Sequence, residues 1–338
     1  MKRQRINRKS IYRAENKMIH YLSLFCIGVL LGACGQEPTD VAGESATTEI
    51  VETVDLSGAA GISGDMEKQD GYTAEEVVSP EESAVLPEND DILQFVDAFG
   101  EMHETTIDHS IPQHMYDYAN LTKDGMLFSY QDERYTSRVG IDVSKYQGTI
   151  RWDAVKAQGI EFVFIRIGYR GYGEAGTINL DQCFQDNIKG AQDAGLDVGV
   201  YFFAQAVNEE EAIEEAEFVV KSLQGYELQL PVVYDPETIR NDVARTDNVT
   251  GEQFTKNTRA FCDCIRENGY EAMIYSNMMW EAFEFDLNQL SDIPIWYADY
   301  EALPQTPYYF SIWQYTEQGH IDGIEGIIDL NLQFCPMP

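Results

Sequence analysis

Four acidic residues lie in or directly after short apolar runs, where carboxyl groups can take part in catalysis. Asp142 and Asp329 each lie within such a run, and Asp235 and Glu237 follow Pro231–Tyr234. Residues i and i+2 of a strand point to the same side, so Asp235 and Glu237 are expected to face one cleft. Glycoside hydrolysis needs one protonated and one ionised carboxyl group, and like-charged neighbours raise the pKa of the proton donor. The pattern favours this chemistry, although acid-x-acid pairs are common by chance in so acidic a chain.

Aromatic and amide side chains accompany these acids along the later apolar runs. Flat indole and phenol faces can stack on sugar rings, and core packing is the competing interpretation. The candidate substrate-binding residues are Tyr201, Trp296, Tyr297, Trp313, Gln314 and Tyr315.

Eight short apolar runs, separated in the first part of the domain by helical patterns, must position these side chains. Continuous apolar strands suit a parallel sheet that is covered on both faces. The predicted strands are Val139–Val143, Glu161–Gly168, Asp197–Ala204, Leu230–Asp235, Ala272–Ser276, Ile295–Ala298, Phe310–Tyr315 and Ile327–Leu330. Helices are predicted at 180–194, at 209–223 with Asn208 as its cap, and at 250–268.

The number of strands and their spacing predict an α/β fold, an irregular TIM-like β/α barrel. It should contain about five β/α units plus three further strands, with the chemistry at the C-terminal ends of the strands. A doubly wound open sheet is the alternative, but no glycine-rich phosphate-binding pattern follows the first strand.

Composition limits the function further. The chain of 338 residues has 23 Lys plus Arg against 58 Asp plus Glu, a formal net charge of −35. This balance argues against a nucleic-acid partner, which needs a basic surface. No close Cys/His spacing indicates a metal site, no Ser–His–Asp arrangement stands out, and no cofactor is expected. The pairing of the four later cysteines cannot be deduced, and free thiols are at least as favoured; they are Cys183, Cys262, Cys264 and Cys335.

The N-terminal third does not have the composition of a folded domain. Residues 1–33 combine a basic start with a short apolar stretch that ends in small residues before Cys34, the pattern of a lipoprotein signal peptide with Cys34 as the lipidated residue. An ordinary cleaved signal peptide is the alternative. Residues 34–95 are assigned as an acidic, disordered tether, since 17 acids and one basic residue occupy residues 35–100.

The remaining chain divides into two parts. Residues 96–136, the lead-in segment, carry scattered aromatic residues that could dock on the main domain, but no element is assigned to them. Residues 137–338 form the predicted catalytic barrel. On this interpretation a fragment that begins near Tyr135 retains the fold and its activity.

Several ordered motifs resemble glycoside hydrolase family 25, the Chalaropsis-type lysozymes or N-acetylmuramidases. They are Gly140–Gly148, Ile150–Asp153, Phe164–Gly173, Gly199–Phe203, Pro231–Glu237, Ile295–Ala298, Ile312–Tyr315 and Gly326–Asn331. Two stretches depart from the pattern of many members: Arg166–Arg170 replaces a Lys-x-Thr-Glu-Gly run, and Tyr201–Phe203 replaces Tyr-His-Phe.

The resemblance implies hydrolysis of the β-1,4 bond between N-acetylmuramic acid and N-acetylglucosamine in peptidoglycan. It implies Glu237 as the general acid and Asp235 as the carboxylate that stabilises or orients the acetamido group. Asp142 and Asp329 would be flanking acids that position the substrate. Whether the reaction retains or inverts configuration stays open.

The expected protein is a monomer outside the cytoplasm, held at the bacterial membrane by its lipid and acting on glycan strands. Two other functions remain: a catalytically silent peptidoglycan-binding lipoprotein, and a barrel glycosidase for another N-acetylated glycan such as chitin.

Overall fold

The computed structural model describes residues 91–337. Its strands are β1 Ile92–Val96, β2 Met102–Thr106, β3 Leu121–Asp124, β4 Leu127–Tyr130, β5 Tyr135–Val143, β6 Phe162–Arg170, β7 Ile178–Leu180, β8 Asp197–Ala204, β9 Val232–Pro236, β10 Ala272–Asn277, β11 Ile295–Ala298, β12 Ile312–Gly319 and β13 Ile328–Pro336. The helices are α1 Trp152–Ala157, α2 Phe184–Asp193, α3 Glu209–Ser222, α4 Gly251–Glu267, α5 Met278–Phe283 and α6 Leu287–Leu290.

The strands from β5 onward close into a barrel. Their order is β5, β6, β8, β9, β10, β11, β12 and β13, and β13 pairs back with β5. Neighbours from β5 to β12 are parallel, whereas β13 is antiparallel to both β12 and β5. Because β5 has a partner on each side, the sheet has no open edge there, and the alternative of an open doubly wound sheet is wrong.

Helices follow the first five barrel strands and are absent after the last three among the described residues. α1 follows β5, α2 follows β6, α3 follows β8, α4 follows β9, and α5 and α6 follow β10. This arrangement confirms the prediction of five β/α units plus three further strands. The cap predicted from sequence also forms, since the Asn208 side chain accepts a hydrogen bond from the backbone N–H of Glu211.

The barrel interior is filled by large apolar side chains from alternate positions. Phe162 and Phe164 of β6 pack there with Trp296 and other apolar residues, and Phe164 stacks on Trp296 with ring centroids 4.7 Å apart. Gly140 of β5 makes room for this packing, because a Cβ atom at that position would lie 2.3 Å from a ring carbon of Phe162.

The lead-in segment forms two hairpins that pack on the barrel. β1 pairs with β2 and β3 with β4, and β1 begins at Ile92, inside the last residues assigned to the tether. Phe95, Tyr116 and Tyr130 are at most 6% exposed and belong to the main hydrophobic core. These side chains supply part of the core, which argues against the prediction that a fragment from Tyr135 onward retains the fold.

Other predictions on the N-terminal part lie outside the described residues: the signal peptide, Cys34 and nearly all of the tether. Within the described part, no helix has both the length and the apolar character needed to cross a membrane. Four cysteines there are free thiols, and Cys262 is the fully buried one.

Candidate active site

The C-terminal ends of the parallel strands form one rim of the barrel, here called the mouth. Asp142 lies near the end of β5, and Asp235 lies near the end of β9. Glu237 is the first residue after β9. Asp329 of β13 pairs directly with Asp142 in the antiparallel register. The fold therefore brings together all four acids singled out in the sequence.

Asp142 and Asp329 form a carboxyl pair. Burial raises the pKa of both groups, and their side chains hydrogen-bond to each other. The two buried groups therefore share one proton rather than both carrying a charge. Asp142 Oδ2 also accepts hydrogen bonds from Gln314 Nε2 at 2.9 Å and Asn331 Nδ2 at 2.8 Å. These amides fix the orientation of the Asp142 carboxylate.

Burial also raises the pKa values of Asp235 and Glu237. Burial raises the pKa of Glu237 to about 7, and negative charge on Asp142 and Glu317 adds to the effect against the opposing charge of Arg166. Burial and the charges of Glu237 and Asp142 raise the pKa of Asp235 well above its usual value. Its Oδ1 atom is buried and has no hydrogen-bond partner among the described residues.

Arg166 is the cation that faces this acidic group, and it is held in place from several sides. Its Nε donates to Asp181 Oδ2 at 2.8 Å, and its guanidinium group lies over the rings of Tyr146 and Tyr169. Asp181 is fully buried and also accepts from the backbone N–H groups of Lys145 and Cys183. Sequence reasoning missed Asp181. The available signal was Arg166, a charged residue within the apolar run of β6 that needs an acidic partner.

A buried amide holds the backbone at Glu237. Gln205 is 1% exposed, and its Nε2 donates to the carbonyl oxygen of Glu237 at 2.8 Å. Thr246 Oγ1 donates to Gln205 Oε1 at 2.9 Å, and Arg245 donates to the Gln205 carbonyl oxygen at 3.1 Å. The backbone of Glu237 is thus anchored to the loop after β8, and this bond leaves its side chain able to face the mouth.

The predicted substrate-binding residues divide between two faces of the sheet. Tyr201 is half-buried and lies close to Arg166 and to the acids of the mouth. Trp296 lies deeper, 2% exposed, and donates from Nε1 to Asn331 Oδ1 at 2.7 Å. It forms the floor beneath the acids, where it supports Asn331.

Three aromatic candidates are not brought to the site. Tyr297, Trp313 and Tyr315 belong to the core between the barrel and its outer elements. Tyr297 donates from its hydroxyl group to Asp299, and Trp313 and Tyr315 pack against Phe128 of β4. Side chains alternate between the two faces of a strand, so the neighbours of the inward-facing Trp296 and Gln314 must point outward.

Gln314 reaches the mouth, but its polar atoms already contact protein groups. Its Nε2 binds Asp142, and its Oε1 accepts hydrogen bonds from the hydroxyl groups of Tyr275 and Tyr300 at 2.8 and 2.9 Å. We therefore interpret Gln314 as the residue that orients Asp142. Sequence reasoning did not single out Tyr275 or Tyr300.

A β-bulge adds a fifth carboxyl group to the mouth. Gln314 pairs with Asn331 but Thr316 pairs with Leu330, so one residue of β12 is extra. After a bulge of this kind, the residues that face inward change. Because Thr316 pairs with Leu330, the next residue of β12, Glu317, lies beside Asp329. Its charge acts on Glu237 and Asp329. Sequence reasoning missed Glu317 because no periodic pattern marks a single inserted residue.

One group of possible metal ligands occurs among residues 91–337, and it lies on the β1–β2 hairpin. Asp97, Glu101 and His103 have ligand atoms within 4.8 Å of one another. The Asp97 carboxylate already accepts hydrogen bonds from the backbone N–H groups of Phe99 and Glu101. The group is separate from the acids of the mouth, and no argument for chemistry rests on it.

Comparisons with known proteins agree with this architecture. The sequence profile of the family described as "Glycosyl hydrolases family 25" matches residues 141–324, a stretch that contains Asp142, Asp235 and Glu237. The chain is 28% identical over 194 residues to the autolytic lysozyme of Clostridium acetobutylicum, covering 57% of this chain and 54% of that protein. It is 27% identical over 201 residues to lysozyme M1 of Streptomyces globisporus, covering 57% and 66%.

The chain thus spans between about half and two thirds of the length of these relatives. Among solved structures, the modular autolysin LytC of Streptococcus pneumoniae superposes with a TM-score of 0.53 at 20% identity. That likeness covers 73% of this chain and 57% of LytC, and it concerns the fold.

Proposed function

The chain belongs to glycosyl hydrolase family 25, and we propose that it is a muramidase that hydrolyses the β-1,4 bond between N-acetylmuramic acid and N-acetylglucosamine in peptidoglycan. The observation that carries the proposal is the group of acids at the mouth, in which burial raises the pKa of Glu237 to about 7. The names of two relatives, both called lysozymes, support peptidoglycan as the substrate class.

In this proposal Glu237 is the general acid. A carboxyl group with a pKa of about 7 is half protonated at neutral pH, whereas one at 4.5 would be protonated to about 0.3%. Glu237 therefore has a proton to give to the leaving glycosidic oxygen under conditions where an exposed glutamate has almost none. Its backbone bond to Gln205 holds it at the mouth while its side chain meets the substrate.

Asp235 is the second participant. Its buried Oδ1 atom lacks a partner among the described residues and can accept a hydrogen bond from the N–H group of a substrate acetamide. Once ionised, Asp235 would also stabilise positive charge as it develops at the sugar ring.

Asp142 and Asp329 act as a flanking pair that shapes the field around Glu237. Asp142 raises the pKa of Glu237, and the shared proton of the pair keeps the two buried groups from carrying two charges. Burial raises the pKa of the Tyr201 phenol well above its usual value, so Tyr201 is a neutral hydrogen-bond donor at this site.

The test is digestion of purified peptidoglycan by the wild type and two variants. We expect Glu237→Gln to lose about 10²- to 10⁴-fold in turnover, the usual contribution of a general acid, with folding and glycan binding preserved. Asp235→Asn should be similarly impaired. Chemical identification of the new reducing end as muramic acid separates a muramidase from a glucosaminidase, and chitin tests the other N-acetylated polymer.

A thermal melt of each variant is the folding control. Near-wild-type turnover in Glu237→Gln would remove the proposed mechanism. A wild type that binds peptidoglycan but cleaves no glycan would instead support the catalytically silent binding protein.

We further propose that the protein acts outside the cytoplasm as a lipid-anchored monomer, with Cys34 as the modified residue. Diacylation would provide stable anchoring that a single chain does not. Membrane fractionation of Cys34→Ala tests this, and a variant that sediments with membranes as the wild type does would refute it. Analytical ultracentrifugation of a fragment of residues 91–338, in buffer without detergent, measures the oligomeric state.

A further inference from the structure

The β1–β2 hairpin borders the mouth and contacts the loops that follow three consecutive barrel strands. Val96 exchanges two hydrogen bonds with the side chain of Gln305, in the loop after β11, at 2.8 and 2.9 Å. Phe95 and His103 pack against Phe283 of α5, the helix after β10, with ring centroids 6.1 Å apart in each case. The hairpin is thus attached to the same end of the barrel as the acids.

The tip of this hairpin reaches the loop that carries Glu237. The guanidinium carbon of Arg240 lies 3.4 Å from the ring centroid of Phe99. Arg240 follows Glu237 by three residues, so that their Cα atoms are at most about 11 Å apart. Phe99 therefore contacts the segment that directly follows the proposed catalytic acid, although it precedes that acid by more than a hundred residues.

Phe99, in the turn between β1 and β2, differs from Phe95 of β1 in its exposure. Phe95 is 1% exposed, whereas Phe99 is 57% exposed with one side of its ring against Arg240. Its position is held by the turn itself, because the Asp97 carboxylate binds the backbone N–H groups of Phe99 and Glu101. A large, solvent-exposed ring on a turn whose backbone is held in this way, at the mouth end of the barrel, is suited to contact a ligand.

We propose that Phe99 and Arg240 form a binding platform for the peptidoglycan strand beyond the bond that is cleaved. The inference rests on the proposed function and adds a substrate contact at Phe99, which lies before residues 141–324, the part matched by the family profile. The phenyl ring offers a face to a pyranose ring of the strand. Arg240 offers a positive charge to the carboxylates of the stem peptides, which the acids of the mouth would repel.

The experiment measures kcat and KM on long, stem-bearing glycan strands and on a short soluble muropeptide dimer. We expect Phe99→Ala to raise KM for the long strands about three- to tenfold, the size of one aromatic contact, with kcat unchanged. The short substrate, which ends before the platform, should be cleaved with unchanged kcat and KM. Met102→Ala is the matched control, since Met102 is 63% exposed on the outer face of the same hairpin.

Arg240→Gln tests the charge. It should raise KM for stem-bearing strands more than for strands whose stems an amidase has removed, and added salt should reduce the difference. Equal KM values for Phe99→Ala and Met102→Ala on long strands would overturn the platform while leaving the proposed function intact. An inactive wild type would instead refute the proposed function, and co-sedimentation of the same variants with peptidoglycan would still decide whether Phe99 binds the strand.

Discussion

Tyr116 joins the lead-in segment to the barrel, and its replacement should destabilise the whole domain. Its ring stacks on Phe334 of β13 with centroids 4.0 Å apart, and its hydroxyl group donates to the carbonyl oxygen of Phe310 at 2.5 Å. The side chain is 6% exposed. Tyr116→Ala removes a buried aromatic ring, which typically costs about 3–5 kcal/mol of unfolding free energy. Tyr116→Phe removes the hydrogen bond alone and leaves a buried acceptor, at about 1–3 kcal/mol.

Thermal unfolding followed by circular dichroism measures both changes. A domain of this size loses about 2–4 °C in Tm per kcal/mol, so Tyr116→Ala should melt roughly 6–20 °C below the wild type, and Tyr116→Phe at an intermediate temperature. Met102→Ala, at an exposed site of the same segment, should melt within about 2 °C of the wild type. If the Tm of Tyr116→Ala equals that of Met102→Ala, the lead-in segment is not part of the core. The same conclusion would follow if residues 135–338 alone unfold as cooperatively as residues 91–338.

Three further outcomes are expected. Activity should fall as the pH rises through about 7, the pKa of Glu237, and Glu317→Gln should move this limb to lower pH by roughly half a unit because it removes a negative neighbour; an unchanged limb would contradict the placement of Glu317. Burial raises the pKa of Glu281 from 4.5 to about 8, so its contribution to stability is complete below pH 4.5 and is lost as the pH rises through 8. The free energy of unfolding of Glu281→Gln, measured with denaturant, should therefore rise relative to that of the wild type by up to a few kcal/mol between pH 5 and 8. If the unfolding free energies of the two proteins change in parallel with pH, this reasoning is refuted. Gly140→Ala should cost about 1–3 kcal/mol, because its Cβ atom meets the facing phenylalanine of β6 at 2.3 Å, while Gly173→Ala, with nothing within 4 Å, should melt like the wild type.

Local patterns in the sequence were sufficient to predict the barrel strands and the three longest helices, but not the two N-terminal hairpins, β7 or the short helices. The apolar runs predicted all eight barrel strands, seven of them to within four residues at each end, whereas β13 ends six residues beyond its predicted end. Asn208 caps its helix as expected. The pairing of Asp235 with Glu237 on one side also follows from local geometry, because residues two apart on a strand share a face.

The composition of the mouth depends on contacts between distant parts of the chain. Asp142 faces Asp329 only because β13 runs antiparallel beside β5, and the Asp181 that holds Arg166 follows a separate strand. No local pattern contains these register relations.

The face on which each side chain lies was likewise decided by tertiary structure. Trp313 and Tyr315 have the residue types of a sugar-binding cleft, but the barrel turns both toward the β3–β4 hairpin. One extra residue in β12 instead brings Glu317 into the mouth. Sequence by itself determined which residues form strands and helices and which acids could act together, because those depend on neighbours along the chain. Only the closed barrel decided which side chains meet, because a strand's inner face exists only once its partners are in register.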